Sequence, residues 1–263
     1  MSEQRDKNLW IFNAGNSFAG NPKWMFEYII RHHKEIKPVW MCYNADTMNY
    51  VHKLGYEAEL YHSSKGKSVM AKAGVYVVEM CKEVFQPELS GITVLNLWHG
   101  VGCKSIERKV TDGFLQERIA KKYIQNNDIL RNNQLFLVTS EIMEKHFKEQ
   151  CGIDDDKVIR AGYPRCVVND NIQSYDHDIR KKKGLSANTK LAIYCPTYRY
   201  NNGANFMKSA LPDMKRLAEV LHENNILLIL KMHPLVEKDT QYLAMKEVYR
   251  EHPNFYFWEN EDD

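Results

Sequence analysis

Short unbroken apolar runs alternate along this chain with segments whose apolar positions recur every three or four residues. Runs of the first kind read as strands buried on both faces, and stripes of the second kind as helices packed on them. The pattern predicts strands at Leu9–Phe12, Val39–Tyr43, Ala58–Tyr61, Val75–Glu79, Thr93–Trp98, Leu135–Thr139 and Val158–Arg160. Between the first two, Asn21-Pro22 reads as an N-cap with proline at the first helical position, opening a helix to about His33. Asp46 reads as the cap of a shorter helix that stops at Gly55, a natural residue for a left-handed exit.

The stretch 171–190 breaks the pattern, being polar and charged, and reads as a surface helix and connection. Its RKKKG run has the character of a solvated helix end. The alternation then restarts with a strand at Leu191–Cys195, a helical stripe of Leu211, Met214, Leu217, Ala218 and Leu221, a strand at Ile226–Lys231, a helix at Thr240–Glu251 and a strand at Phe255–Trp258. Strands separated by helices predict an α/β protein with parallel sheets covered on both faces. The domain boundary falls at 172/173, giving units 1–172 and 173–263. The second shows about three strands where a doubly wound domain usually carries five or six, so it reads as incomplete.

Composition narrows the function classes. Apolar residues make up 44% of 263, enough for a substantial core, and the formal net charge of +2 gives no electrostatic case for a nucleic-acid partner. The opening MSEQRDKN has no apolar core of a signal peptide, and the longest purely apolar stretch, Ile226–Leu230, is far too short to span a bilayer. Six scattered cysteines without a C-x-x-C pair read as reduced thiols, which places the protein in a cytoplasm.

Ligands of parallel α/β sheets bind beyond the carboxyl ends of the strands, so the residues delivered there carry the chemistry. LNLWHGVGCK, at 95–104, delivers Trp98, His99, Gly100 and Lys104; AGYPR, at 161–165, delivers Arg165; PTYRY, at 196–200, delivers Thr197, Tyr198 and Arg199; KMHP, at 231–234, delivers Lys231 and His233. Lysine and arginine neutralise phosphate oxygens, and a histidine near its ordinary pKa can take a proton from an attacking hydroxyl. Each residue also has a plain reading, as a polar loop residue, a surface ion pair or packing. The recurrence at four strand exits is what points to an anionic, phosphate-bearing ligand.

In their order and spacing these segments resemble the CDP-glycerol glycerophosphotransferase family, the polymerases and primases of wall teichoic acid and related capsule polymers. LNLWHGVGCK is similar to that family's W-H-G-x-x-x-K segment, and GYPR, PTYR and KMHP to its following motifs. GNPKWMFEYI at 20–29 and SSKGKSVMAKAGVYV at 63–77 are similar to its N-terminal segments. The resemblance implies a GT-B-like architecture, two Rossmann-like domains facing a cleft, the first on the acceptor side and the second holding the nucleotide donor. It implies transfer of an alditol phosphate, from CDP-glycerol or CDP-ribitol, to a hydroxyl of a lipid-linked polymer or disaccharide acceptor, with release of CMP and no cofactor or metal. By resemblance His99 is the general base and His233 the second catalytic histidine. Thr197, Arg199, Lys231 and Arg165 are then donor phosphate or nucleotide ligands, and Trp98, Gly100 and Lys104 lie on the acceptor side. Two departures stand out: Cys166-Val167 follow Arg165 where the family commonly has Asn-Asp, and the chain ends before the family's Asp-Tyr-Ser-Ser segment. A lipid-linked acceptor further implies peripheral contact with the inner face of the cell membrane.

Other readings compete. A GT-B sugar transferase would use the same fold and a similar cationic cleft. A non-catalytic binding fragment, completed by a missing segment or a partner, is the second; here 114–126 could form a basic amphipathic helix with Phe114, Leu115, Ile119, Tyr123 and Ile124 on one side, although an ordinary docked helix explains the same pattern. A metal enzyme is the third, but there is no H-E-x-x-H, and the D-x-D within Asp154–Asp156 reads as a solvated turn.

Overall fold

The computed structural model describes residues 5–80, 86–102, 105–111, 115–125, 133–166, 179–196, 206–232 and 239–258. The chain divides into two compact units, Met1–Ile172 and Gln173–Asp263.

The first unit is built on a seven-stranded sheet in the order β3-β2-β1-β4-β5-β6-β7, every pairing parallel. Its strands are β1 (Asp6–Asn13), β2 (Lys37–Cys42), β3 (Ala58–Leu60), β4 (Ala73–Val78), β5 (Thr93–Asn96), β6 (Gln134–Val138) and β7 (Val158–Arg160). Its helices are α1 (Gly20–His32), α2 (Ala45–Lys53), α3 (Ser64–Lys72), α4 (Leu115–Gln125) and α5 (Glu141–Cys151). Strand order reverses direction between β1 and β4, the kind of switch point where doubly wound sheets open a crevice.

Helices α1 and α2 pack on one face of the sheet and α3 and α5 on the other. The first face packs Phe26, Ile29 and Val51 against Phe12, Trp40, Val77 and Leu97. Its centre is aromatic: Phe12, Phe26 and Trp40 are fully buried, with Phe12 and Phe26 edge to face at 5.2 Å. Such rings contribute about 2–3 kcal/mol each by burial. The opposite face packs Met70 on Ile11, Met41 and Tyr76 near the centre, and Phe147 on Phe136 and Val138 toward β7. Among the described residues, the flank of α1 and the exits of β5–β7 line an apolar groove of about 500 Å³ on the first face, with Trp24, Tyr28, Leu97, Leu137 and Ile159 among its walls.

Helix starts follow the side chains that can satisfy the first free N–H groups. Asn44, not Asp46, caps α2: its backbone is extended and its side chain accepts from the Thr47 N–H at 2.8 Å, while Asp46 sits in the first turn. Likewise α1 begins at Gly20 with Ala19 at the cap and no side-chain cap bond. Asn21 is therefore inside the helix and its side chain is used elsewhere.

In the second unit β8 (Lys190–Tyr194), β9 (Ile226–Leu230) and β10 (Phe255–Phe257) form a parallel sheet in the order β10-β9-β8. Helices α6 (Ile179–Lys182), α7 (Phe206–Ala210), α8 (Met214–Glu223) and α9 (Thr240–Tyr249) accompany it. The stripe predicted from Leu211 to Leu221 divides: Leu211 follows α7, and Asp213 caps a new helix by accepting from the Arg216 N–H. Met207, Leu221, Leu230, Tyr242 and Phe255 make the core on one face, and Leu227, Ile229 and Tyr256 bury the other.

The helix within 114–126 is docked. Tyr123 packs against the core cluster of Ile11 and Tyr76, and buried Lys122 donates to Glu107 at 2.5 Å, while Ile124 is exposed. Phe114 and the side chain of Leu115 lie outside the described residues. The Asp154–Asp156 turn precedes β7, where Asp155 pairs with Lys148 at 2.5 Å.

Candidate active site

The strand predicted to run to Trp98 ends at Asn96, and the reason is local. Leu97 still donates to the Val78 carbonyl at 2.7 Å. Trp98 then takes a left-handed conformation, φ +52°, which no strand can continue. Three side chains hold that turn. The Asn96 amide oxygen accepts from the Trp98 N–H at 3.0 Å, and the Asn21 amide nitrogen donates to the Trp98 carbonyl at 2.7 Å. The Asn96 amide nitrogen in turn donates to Gln134 at 3.2 Å. Backbone strain of this sort persists where surrounding bonds over-determine it.

The Trp98 ring goes into the core against Phe136 and Phe147, and His99 is left exposed, stacked on it at 4.6 Å. His99 Nδ1 lies 3.2 Å from the carbonyl oxygen of Glu79, at the exit of neighbouring β4. A carbonyl can only accept, so Nδ1 carries the proton and Nε2 is the basic nitrogen of the neutral ring.

Residues of the β7 exit close over this loop. Arg165, in the short turn Pro164–Cys166, donates from Nη1 to the His99 carbonyl at 2.8 Å, and its backbone N–H donates to the Asn21 side chain at 3.3 Å. The Tyr163 hydroxyl donates to the Gly100 carbonyl at 2.7 Å, and the Arg165 guanidinium lies 5.3 Å from the Tyr163 ring centre. Burial pushes the Tyr163 hydroxyl's pKa up, opposed by the Arg165 charge. Arg165 thus reaches the His99 loop itself.

Glu79 completes the group. Its carboxylate lies at the first turn of α1, near the Asn21 N–H, and its Oε2 is buried without a hydrogen-bond partner. Burial pushes the Glu79 carboxyl up; His99, the Asn21 N–H and Arg165 oppose that rise. Gly20, at φ +67°, is what lets α1 come so close, because a Cβ at this position would fall on the Glu79 carboxylate.

In the second unit β8 and β9 are neighbours, with Tyr194 opposite Leu230, so the segments leaving at Cys195-Pro196 and at Lys231-Met232 start side by side. Lys231 Nζ sits 4.9 Å from the Trp258 ring centre. Thr197, Arg199 and His233, with Lys104 of the first unit, lie outside the described residues. Sequence reading missed Asn21, Glu79, Asn96 and Tyr163. Extending the strand-exit inventory to the β4 strand would have found Glu79; Asn21 was hidden by its resemblance to a cap.

Among the described residues no group of three His, Cys, Asp or Glu side chains is placed to hold a metal ion, and no helix is long and apolar enough to cross a membrane.

Two parallel α/β units, the first presenting His99 and Arg165 at the exits of β5 and β7 and the second presenting Lys231 at the exit of β9, define a GT-B-like fold. The family model for CDP-Glycerol:Poly(glycerophosphate) glycerophosphotransferase matches residues 1–260, and the chain belongs to that family. It is 26% identical over 243 residues to the teichoic acid poly(glycerol phosphate) polymerase of Bacillus subtilis (strain 168), covering 86% of this chain and 31% of that protein. It is 28% identical over 172 residues to the teichoic acid ribitol-phosphate polymerase TarL of Staphylococcus aureus (strain NCTC 8325), covering 60% of this chain and 29% of that one. The chain therefore spans about a third of the length of these two relatives. The solved structure of the wall teichoic acid polymerase TagF superposes with a TM-score of 0.74 at 18% identity, covering 98% of this chain and 63% of that chain, and so shares its fold.

Proposed function

We propose that the protein transfers an alditol phosphate from a CDP-alditol to a hydroxyl of a teichoic acid or related polymer acceptor, releasing CMP. The observation that carries this reading is the His99 loop, an exposed imidazole whose Nδ1–H is held by the Glu79 carbonyl so that Nε2 can accept a proton. Family membership and the polymerase relatives supply the reaction class.

In this reading the acceptor hydroxyl gives its proton to His99 Nε2 as its oxygen bonds to the phosphorus next to the alditol. The bond from that phosphorus to CMP breaks, and CMP departs with the electron pair. CMP is an adequate leaving group, so no covalent intermediate is needed. Positioning and cationic stabilisation of the phosphoryl oxygens supply much of the acceleration. The first unit serves the acceptor, with Trp98 as the platform under His99 and with Gly100 and Lys104 assigned to the acceptor side. The second serves the nucleotide, with Thr197, Arg199 and Lys231 toward phosphate and His233 as the second histidine. Arg165 holds the His99 loop and presents its remaining donors to phosphate. A lipid-linked acceptor would bring the protein to the inner face of the cell membrane.

The test is calorimetric binding of CDP-glycerol, CDP-ribitol, CMP and UDP-glucose. Preference for a CDP-alditol is expected. Selective binding of UDP-glucose would overturn the reading in favour of a sugar transferase.

A further inference from the structure

The chain that leaves His99 runs against α5. The Gly102 N–H donates to the Met143 sulfur at 3.2 Å, and the Ile106 N–H donates to the Gln150 side-chain oxygen at 2.8 Å. Positions 143, 146 and 150 share one face of a helix, so His146 meets the chain between these two bonds. The meeting point is Gly102. A Cβ built on Gly102 would fall on the His146 ring, nearest Nε2. Gly102 does not adopt a left-handed backbone, so glycine is needed there for space and not for conformation. The ring is backed edge to face by buried Phe147, at 5.2 Å. His146 Nε2 is buried without a hydrogen-bond partner, so its contact with the loop is one of shape. A thioether is a weak acceptor, and the bond to Met143 alone is a poor tether. The fit of ring against glycine therefore sets how far the loop sinks onto α5.

We propose that His146 is a positioning residue for the His99 loop, acting through Gly102. Arg165 and Tyr163 hold the loop's His99 and Gly100 carbonyls from the β7 side. His146 supports the outgoing end from α5. The exposed imidazole stands between the two supports, and a small shift of the loop would carry it out of reach of the acceptor hydroxyl. This rests on the reading of His99 as general base, but the place of the loop can be measured without turnover.

Proton–carbon spectra of the 13C-histidine-labelled protein report the surroundings of the His99 ring, whose resonances are assigned by their loss in His99→Gln. Gly102→Ala sets a methyl group against the His146 ring and should shift the His99 resonances. It should also lower kcat by about 10-fold or more while leaving KM for the CDP-alditol unchanged. Combining Gly102→Ala with His146→Ala removes the obstacle. The double variant should return the His99 resonances toward wild type and recover part of kcat, an outcome that independent effects cannot give. His146→Gln, which keeps the reach of the ring, should retain more of kcat than His146→Ala. Unmoved His99 resonances in folded Gly102→Ala overturn the proposal, and so does a double variant no closer to wild type than Gly102→Ala. Should Gly102→Ala fail to fold, His146→Ala carries the test, and unmoved His99 resonances there overturn it. Absence of turnover by the wild type counts against the transferase reading, while the spectra still decide the role of His146.

Discussion

The Asn21 side chain, at the start of α1, donates to the carbonyl of Trp98, 77 residues away, at 2.7 Å. This buried bond ties the first helix to the strand exit that carries His99, and the same amide oxygen accepts from the Arg165 N–H at 3.3 Å. One side chain thus joins the exits of β5 and β7 to α1.

Replacing Asn21 should therefore be costly. Asn21→Ala leaves the Trp98 carbonyl buried without its donor, a loss of about 1–3 kcal/mol. Asn21→Asp should cost more, because it sets an oxygen against that carbonyl and a second negative charge near Glu79. Urea unfolding of the first unit measures both; equal stability of Asn21→Asp and wild type would contradict this account.

Gly20→Ala should destabilise by about 2 kcal/mol, combining a left-handed backbone position with a Cβ that displaces the Glu79 carboxylate. The accompanying double change Gly20→Ala with Glu79→Ala should lose less than the sum of the two single changes, since the clash then disappears.

The pH dependence of stability follows from the raised Glu79 carboxyl, whose first cause is burial. A carboxyl that binds its proton more tightly folded than unfolded favours folding at low pH, and that advantage is lost as pH rises from the unfolded value through the folded one. Glu79→Gln removes this dependence. Its melting temperature relative to wild type should therefore rise across that window and stay higher at neutral pH. A variant that tracks wild type at every pH would remove the burial argument.

Arg165→Ala should lower kcat/KM by about 100-fold, because the His99 carbonyl loses its 2.8 Å donor and the imidazole its fixed place. Arg165→Lys should recover only part, as a point charge cannot reach both the carbonyl and the Tyr163 ring in the same geometry. Steady-state kinetics on the three proteins decide it.

Most of the fold was legible in the sequence. The strands of both sheets were located to within a few residues, because strands buried on two faces leave unbroken apolar runs such as Ile226–Leu230. Their ends were less legible. The β5 strand stops early because Trp98 turns left-handed, and that depends on Asn96 and Asn21, neither of which marks a break by itself. Of the candidate site, His99 and Arg165 were found as strand-exit residues. Glu79 and Asn21 were not, since their roles come from contacts between strand exits and α1 that no local periodicity encodes.

The central claim is that His99 takes the acceptor's proton in transfer from a CDP-alditol. The most direct measurement is CMP release from CDP-glycerol and CDP-ribitol, with a poly(alditol phosphate) acceptor, by wild type and by His99→Ala. The account predicts acceptor-dependent CMP formation that falls by about 10²–10⁴-fold in His99→Ala, with donor affinity preserved. Wild-type turnover by folded His99→Ala would contradict it.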